Sequence, residues 1–155
     1  MMELKRATRE DANTLWQMQI EAFAELLARY EDYDTSPGNE TEERVLARLL
    51  QPFTYFYFMV VEENIVGAIR IVDKKDGSRK KISPLFVMPE YRWRGYAQLA
   101  IKEAEAIHGQ ENWELDTILQ EKGNCYLYEK MGYHRTGQTR KINDKMTLVF
   151  YEKSR

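Results

Sequence analysis

Hydrophobic positions along this chain change their spacing at intervals, and each change marks an element. Leu4 to Ala7 reads as a short strand, and Thr8 with Asp11 three residues on makes a capping-box-like helix start. Behind it Leu15, Met18, Ala22, Phe23, Leu26 and Tyr30 recur at helical spacing. The segment EDYDTSPGNE, residues 31–40, is polar with a Pro-Gly turn. After it, ETEERVLARLL puts acids in a first turn and Val45, Leu46, Leu49 and Leu50 on one face, predicting a second helix that ends before Pro52.

Three aromatic and β-branched runs follow, Phe53 to Val61, Ile65 to Val72 and Ile82 to Val87, separated by EEN and by DKKDGSRKK with its Asp76-Gly77 turn signal. They predict three consecutive antiparallel strands. Pro84 sits inside the third run; having no N–H for a ladder, it should lie at a bulge or where the strand leaves its neighbour. A helix with Ala97, Ala100, Ile101 and Ala104 on one face follows Gly95 and stops at Gly109. Trp113 to Leu119 reads as a strand, Gly123 to Lys130 as a short helix stopped near Gly132, and Lys145 to Tyr151 as a final strand. No repeat, low-complexity tract or interdomain linker interrupts this order.

Composition narrows the classes. The 155 residues fit a single domain, 1–155. Lysine plus arginine total 23 against 25 acidic residues, so a net charge of −2 gives no overall pull toward nucleic acid or an anionic membrane. The basic turn around Lys74, Lys75, Arg79, Lys80 and Lys81 reads as a soluble hairpin tip. One cysteine, Cys125, excludes an internal disulfide framework and a Cys-rich zinc cluster, and no metal is called for. Its thiol has no histidine at a motif-like spacing to activate it, and His108 and His134 read as surface helix-end and loop residues. The N-terminus carries charge where a secretory signal needs apolar residues, and the apolar run Phe53 to Val61 is far short of the roughly 20 residues that span a bilayer. A cytoplasmic protein with no membrane partner is the expectation.

The chemistry concentrates at FVMPEYRWRGYAQLAIKEAE, residues 86–105, where a strand passes into a helix. A helix start exposes unpaired N–H groups and partial positive charge. Gly95 lets the backbone approach an anion, Ala97 keeps the next inward position small, and Arg92 and Arg94 add donors, a combination that suits a pyrophosphate. On chemistry alone the alternative stands equally: Gly95 merely turns the chain and the arginines are solvated. The spacing matches neither G-x-G-x-x-G nor a P-loop.

FVMPEYRWRGYAQLAI resembles the coenzyme A signature of the GNAT superfamily of N-acetyltransferases, Gln/Arg-x-x-Gly-x-Gly/Ala after a strand ending Val-x-Pro, with Arg92, Gly95 and Ala97 in the pattern. Downstream, NCYLYEKMGY, residues 124–133, resembles that family's late helix, and the β-α-α-β-β-β-α-β-α-β order agrees. The resemblance covers most of the chain and is weakest from Glu31 to Pro52. It implies an α/β fold of α+β type, with a mixed, mostly antiparallel sheet splayed between the fourth and fifth strands and flanked by helices.

By position, the resemblance implies acetyl-CoA as cosubstrate, its pyrophosphate on the amides of Trp93, Arg94, Gly95, Tyr96 and Ala97, with Arg92 and Arg94 in support. The edge of Leu85, Phe86 and Val87 would pair with the pantetheine arm. Tyr128 occupies the position of the general acid that protonates the leaving thiolate; its alternative is a packed core tyrosine. The signature's usual asparagine is replaced here by Glu121, which leaves Asn124 as the nearest ligand contact. Glu114 and Asp116 share one strand face and either would serve as base, with Glu114 the named candidate; solvated strand carboxylates are the alternative.

Tyr30 and Tyr33 lie in an acidic stretch in the region that would face the acceptor, which suggests a cationic amine, against the simpler reading of a solvated loop. The expectation is direct acetyl transfer to a primary amine of a small molecule or peptide. A non-catalytic acyl-CoA sensor and an enzyme using a longer acyl group are the rivals. A homodimer is compatible with the sequence but not set by it.

Overall fold

The computed structural model describes residues 1–154, and these form seven strands and four α-helices in the order β1 (Met2–Arg6), α1 (Ala12–Tyr30), α2 (Glu42–Leu49), β2 (Thr54–Val61), β3 (Asn64–Val72), β4 (Lys80–Val87), α3 (Tyr96–His108), β5 (Trp113–Ile118), α4 (Lys122–Lys130), β6 (His134–Asn143) and β7 (Met146–Lys153). The strands make one mixed, mostly antiparallel sheet in the order β1-β2-β3-β4-β5-β7-β6, with β4 and β5 parallel. This is the GNAT-like topology that the sequence resemblance implied.

Helices cover both faces of the sheet, which is why β2 and β3 read as continuous apolar runs instead of alternating ones. On one face Phe56, Phe58, Ala68 and Phe86 pack with Leu15 and Ala22 of α1 and Val45 of α2. On the other, Tyr57, Met59, Ile69 and Ile71 meet Ile101 and Ala104 of α3, together with Trp113, Leu115 and Tyr133. The start of α1 forms as expected: the Thr8 amide donates to Asp11 Oδ2 at 2.8 Å, closing a short 3-10 turn that leads into the helix.

Two readings of the sequence are corrected. His134 does not sit in a loop but begins β6, which pairs antiparallel with β7 at the sheet edge. Residues 134–141 are exposed throughout, so the strand carries no apolar alternation, and its pairing rests on backbone bonds that composition does not reveal. His108 is at a helix end but not at the surface: its side chain is 4% exposed. Its Nδ1 lies 2.9 Å from Asp73 Oδ2 and its Nε2 2.8 Å from the Tyr57 hydroxyl.

A neutral imidazole protonated on Nδ1 satisfies both contacts, donating to Asp73 and accepting from Tyr57. Burial lowers the His108 pKa below its ordinary value, outweighing the opposing bond and charge of Asp73, while Lys75 and Lys80 lower it further. The unfolded chain therefore binds a proton that the fold refuses as pH drops below about 6.5, and stability falls in that direction. Thermal melts of wild type and His108→Gln should show a smaller loss of Tm from pH 7.5 to 5.5 in the variant; parallel losses would remove His108 from the acid response.

Candidate active site

The strands β4 and β5 pair through only two residues each, Lys80 with Trp113 and Lys81 with Glu114, and then diverge. Proline at 84 withholds an N–H just past the last pair, and the β3–β4 register is irregular between Ile69 and Ile71, opposite this point. The Ser83 carbonyl accepts instead from Arg70 Nε at 2.5 Å. Arg70 is buried, and desolvation pulls its pKa down to about 10, with the nearby charge of Arg48 adding to the shift. Past the divergence, the Met88 amide donates to Val66 O at 2.8 Å on the β3 side. Backbone alternation therefore turns the Leu85 and Val87 amides toward the gap, and leaves an open edge of the kind an extended ligand pairs with.

Beyond β4 the chain bends through two left-handed residues, Trp93 (φ 68°) and Gly95 (φ 77°), directly before α3. Among the described residues no acceptor is found for the amides of Trp93, Arg94 or Gly95, and the first turn of α3 extends this run of free N–H groups. A Cβ at Gly95 would meet no atom within 4 Å. Glycine adopts this backbone angle without the strain a side chain would add, and the space beside it is open. A pyrophosphate group fits this cradle, with the helix dipole and Arg94 contributing positive potential. Arg94 stacks 5.7 Å over the Tyr91 ring, and Trp93 is fully exposed. Arg92 has other partners: Nε donates to Val87 O at 3.2 Å, Nη2 to Ala22 O at 2.8 Å, and Nη1 is 3.7 Å from Glu25. It ties α1 to the end of β4, which the sequence did not foretell.

The gap between β4 and β5 opens into a cleft of about 290 Å³. Its walls are Lys81 to Leu85 of β4, Asp116 to Ile118 of β5, Phe23, Leu26 and Tyr30 of α1, the turn around Asp32 and Thr35 to Pro37, Asn124 and Tyr128 of α4, and Arg140, Met146 and Leu148 from the last two strands. Tyr128 packs edge-on to Tyr133 at 6.1 Å, and its hydroxyl makes no hydrogen bond with any described residue. Burial raises the Tyr128 pKa well above that of an ordinary phenol, and the charge of Asp116 raises it further, so the hydroxyl keeps its proton.

The cleft gathers Leu85, Asn124, Tyr128 and Tyr30 from the residues singled out in the sequence, along with Asp116. Tyr33 is 59% exposed and stands outside it, and Glu114 lines a neighbouring depression that shares Lys81 and Asp116 with the cleft. The Tyr30 hydroxyl donates to Glu121 Oε2 at 2.5 Å and Arg29 adds a 2.7 Å ion pair, so Glu121 fastens the end of α1 to the start of α4. The acidic stretch is largely used internally. Glu40 pairs with Arg48 at 2.7 Å, Glu31 with Lys145, and Asp32 caps its own turn through Asp34 N, Thr35 N and the Thr35 hydroxyl. Arg140 carries no signal in the sequence, since a lone arginine on a polar strand fits no period.

A family model described as the acetyltransferase (GNAT) family matches residues 15–133. The chain belongs to the GNAT acetyltransferase family. The match takes in most of α1, the splayed strands and α4 through Tyr133. No curated protein matches the chain in sequence. Solved structures share its GNAT fold at low identity. The PaiA N-acetyltransferase from Thermoplasma acidophilum, in complex with coenzyme A, superposes with a TM-score of 0.72 at 16% identity, covering 99% of both chains. The ribosomal-protein-S18-alanine N-acetyltransferase from Escherichia coli gives 0.74 at 9% identity over 97% of this chain and 92% of its own. Spermidine N-acetyltransferase from Vibrio cholerae, in complex with CoA and spermine, gives 0.72 at 14% over 97% and 93%. These identities establish likeness of fold, and the acceptor of none of the three transfers to this GNAT chain by that likeness.

Proposed function

We propose that this acetyltransferase moves the acetyl group of acetyl-CoA directly to the primary amine of a small acceptor, with Tyr128 as general acid and Asp116 as the proton acceptor. The observation that carries the reading is the Tyr128 hydroxyl: protonated, without an internal partner, and on the wall of the cleft that opens where β4 and β5 part. A phenol held there for packing alone would ordinarily have a bonded hydroxyl.

Acetyl-CoA supplies an activated thioester carbonyl. The free amides of residues 93–95 and the first turn of α3 would hold its pyrophosphate, and the open edge at Leu85 and Val87 would align its pantetheine arm. Asp116, directly or through water, takes a proton from the acceptor ammonium, which otherwise has no lone pair to offer. As the new C–N bond forms and the C–S bond breaks, the attacking nitrogen gives up its second proton to solvent, and Tyr128 gives its own proton to the departing thiolate and regains one from solvent. Amide, free thiol and one released proton balance the reaction. Asp116 is preferred to Glu114 because it shares the cleft with Tyr128.

Calorimetric titration with acetyl-CoA, followed by a panel of amines with detection of free thiol, tests the reading. Micromolar binding and amine-dependent thiol release are expected, and Gly95→Glu should weaken acetyl-CoA by more than about ten-fold by placing bulk and negative charge in the cradle. Binding without release across the panel would favour an acyl-CoA sensor. Undiminished affinity in a folded Gly95→Glu protein would remove the phosphate site from residues 93–97.

A further inference from the structure

Four charged residues line the cleft, Asp32, Asp116, Lys81 and Arg140, and three of them are answered within the protein. Asp32 accepts from Asp34 N at 3.2 Å and Thr35 N at 2.9 Å, and from the Thr35 hydroxyl. Lys81 Nζ lies 3.8 Å from Asp116 Oδ2. Arg140 is exposed on the cleft wall and has neither a carboxylate within ion-pair distance nor a hydrogen-bond partner among the described residues, so the cleft charge without a protein partner is a guanidinium.

The ladder fixes where that guanidinium starts. Arg140 of β6 stands opposite Leu148 of β7, which stands opposite Ile118 of β5. Directly paired residues share a sheet face, and all three line the cleft. Two strand spacings separate Arg140 from Ile118, about 10 Å, and Asp116 is two residues along the same face. An arginine side chain is long enough to bridge part of that span, so an acceptor held between the two groups would need its amine and its anionic group only a few bonds apart. A polyamine would instead bring further positive charge beside a cation that no carboxylate of the cleft answers.

We propose that the acceptor is a small amine bearing a carboxylate, an amino acid or a close analogue, with its carboxylate paired to Arg140 and its ammonium directed to Asp116. This rests on the acetyltransferase reading above and specifies its substrate class. Arg140 is a specificity residue: it binds the non-reacting end of the acceptor, and a guanidinium matches a carboxylate in two parallel hydrogen bonds.

The test compares glycine, alanine, glutamate and γ-aminobutyrate with their amides, with putrescine and with aminomethylphosphonate, in wild type, Arg140→Lys and Arg140→Gln. Two readouts are used: kcat/KM from thiol release, and calorimetric binding of each amine to protein saturated with desulfo-CoA, which needs no turnover. At least one amino acid should exceed its amide by roughly 10- to 100-fold in wild type. Arg140→Gln should collapse that ratio toward unity through KM, Arg140→Lys should restore part of it, and acetyl-CoA affinity should hold in both. Equal use of acids and amides, preference for putrescine, or preference for the phosphonate would each overturn the carboxylate assignment. Loss of acetyl-CoA affinity in Arg140→Gln would overturn it too, by moving Arg140 to the cosubstrate's site. If no amine releases thiol, the transferase reading fails by itself; carboxylate binding that Arg140→Gln abolishes would still support the Arg140 site, and its absence would end both.

Discussion

Replacing Tyr128 with phenylalanine is expected to lower kcat by roughly 100-fold while leaving acetyl-CoA affinity within about two-fold, the loss appropriate to one general acid. The ring stays, so its packing against Tyr133 and the rest of the core is retained and the change isolates a hydroxyl that no described residue bonds. The pH profile makes the test sharper. Burial disfavours the phenolate and holds the Tyr128 pKa above its ordinary value, so the proton is present throughout the range in which an enzyme is normally assayed. Wild-type rate should climb with pH as the acceptor ammonium loses its proton, with no descending limb below about pH 10. Unchanged turnover in Tyr128→Phe would take this residue out of the mechanism. A descending limb near neutrality would show that some other group donates the proton.

Gly67→Ala should be the most damaging single methyl group in the molecule. A Cβ at Gly67 would lie 2.1 Å from the Phe86 carbonyl oxygen and 3.0 Å from Val87 Cα, both backbone atoms of the adjacent strand. No side-chain rotation relieves such a contact; β3 and β4 must separate. Alanine restricts the unfolded chain, which favours the variant by about 0.4–1 kcal/mol, but overpacking against backbone costs about 3 kcal/mol or more. The net expectation is a loss of about 2–3 kcal/mol, lowering Tm by roughly 4–12 °C for a chain of this size. Because the displaced segment contains Leu85 to Val87, whose open edge faces the cleft, acetyl-CoA affinity should fall together with stability. Thermal melts and calorimetry on the same preparation check both. A Tm within about 2 °C of wild type would mean that the β3–β4 contact is far more yielding than its geometry implies.

The order of elements was legible in the sequence wherever burial imposes a period. Leu15, Ala22 and Tyr30 on α1, the apolar runs of β2 and β3, and Ala100, Ile101 and Ala104 on α3 must each fill a core, and their spacing records which side of the chain is inside. Gly95 was legible for a different reason: a left-handed residue at a helix start strongly restricts side-chain choice. The strand β6 was not legible, because an exposed edge strand places no demand on side-chain polarity. The burial of His108 was missed because a polar ring at a helix end becomes a core residue only when Asp73 and Tyr57, distant in sequence, arrive to bond both nitrogens.

The same division runs through the candidate site. The turn between β4 and α3 was legible because Gly95 stands where the backbone is left-handed, and Tyr128 was singled out by the family resemblance of residues 124–133. Contacts between distant segments make Arg92 tie α1 to β4, bring Asp116 and not Glu114 to the Tyr128 cleft, and use up much of the acidic stretch after α1. Tertiary structure alone brought Arg140 to the cleft wall. A hydrogen bond or ion pair depends on distance in space, and residues that meet from opposite ends of a sheet leave no mark in the spacing of either segment.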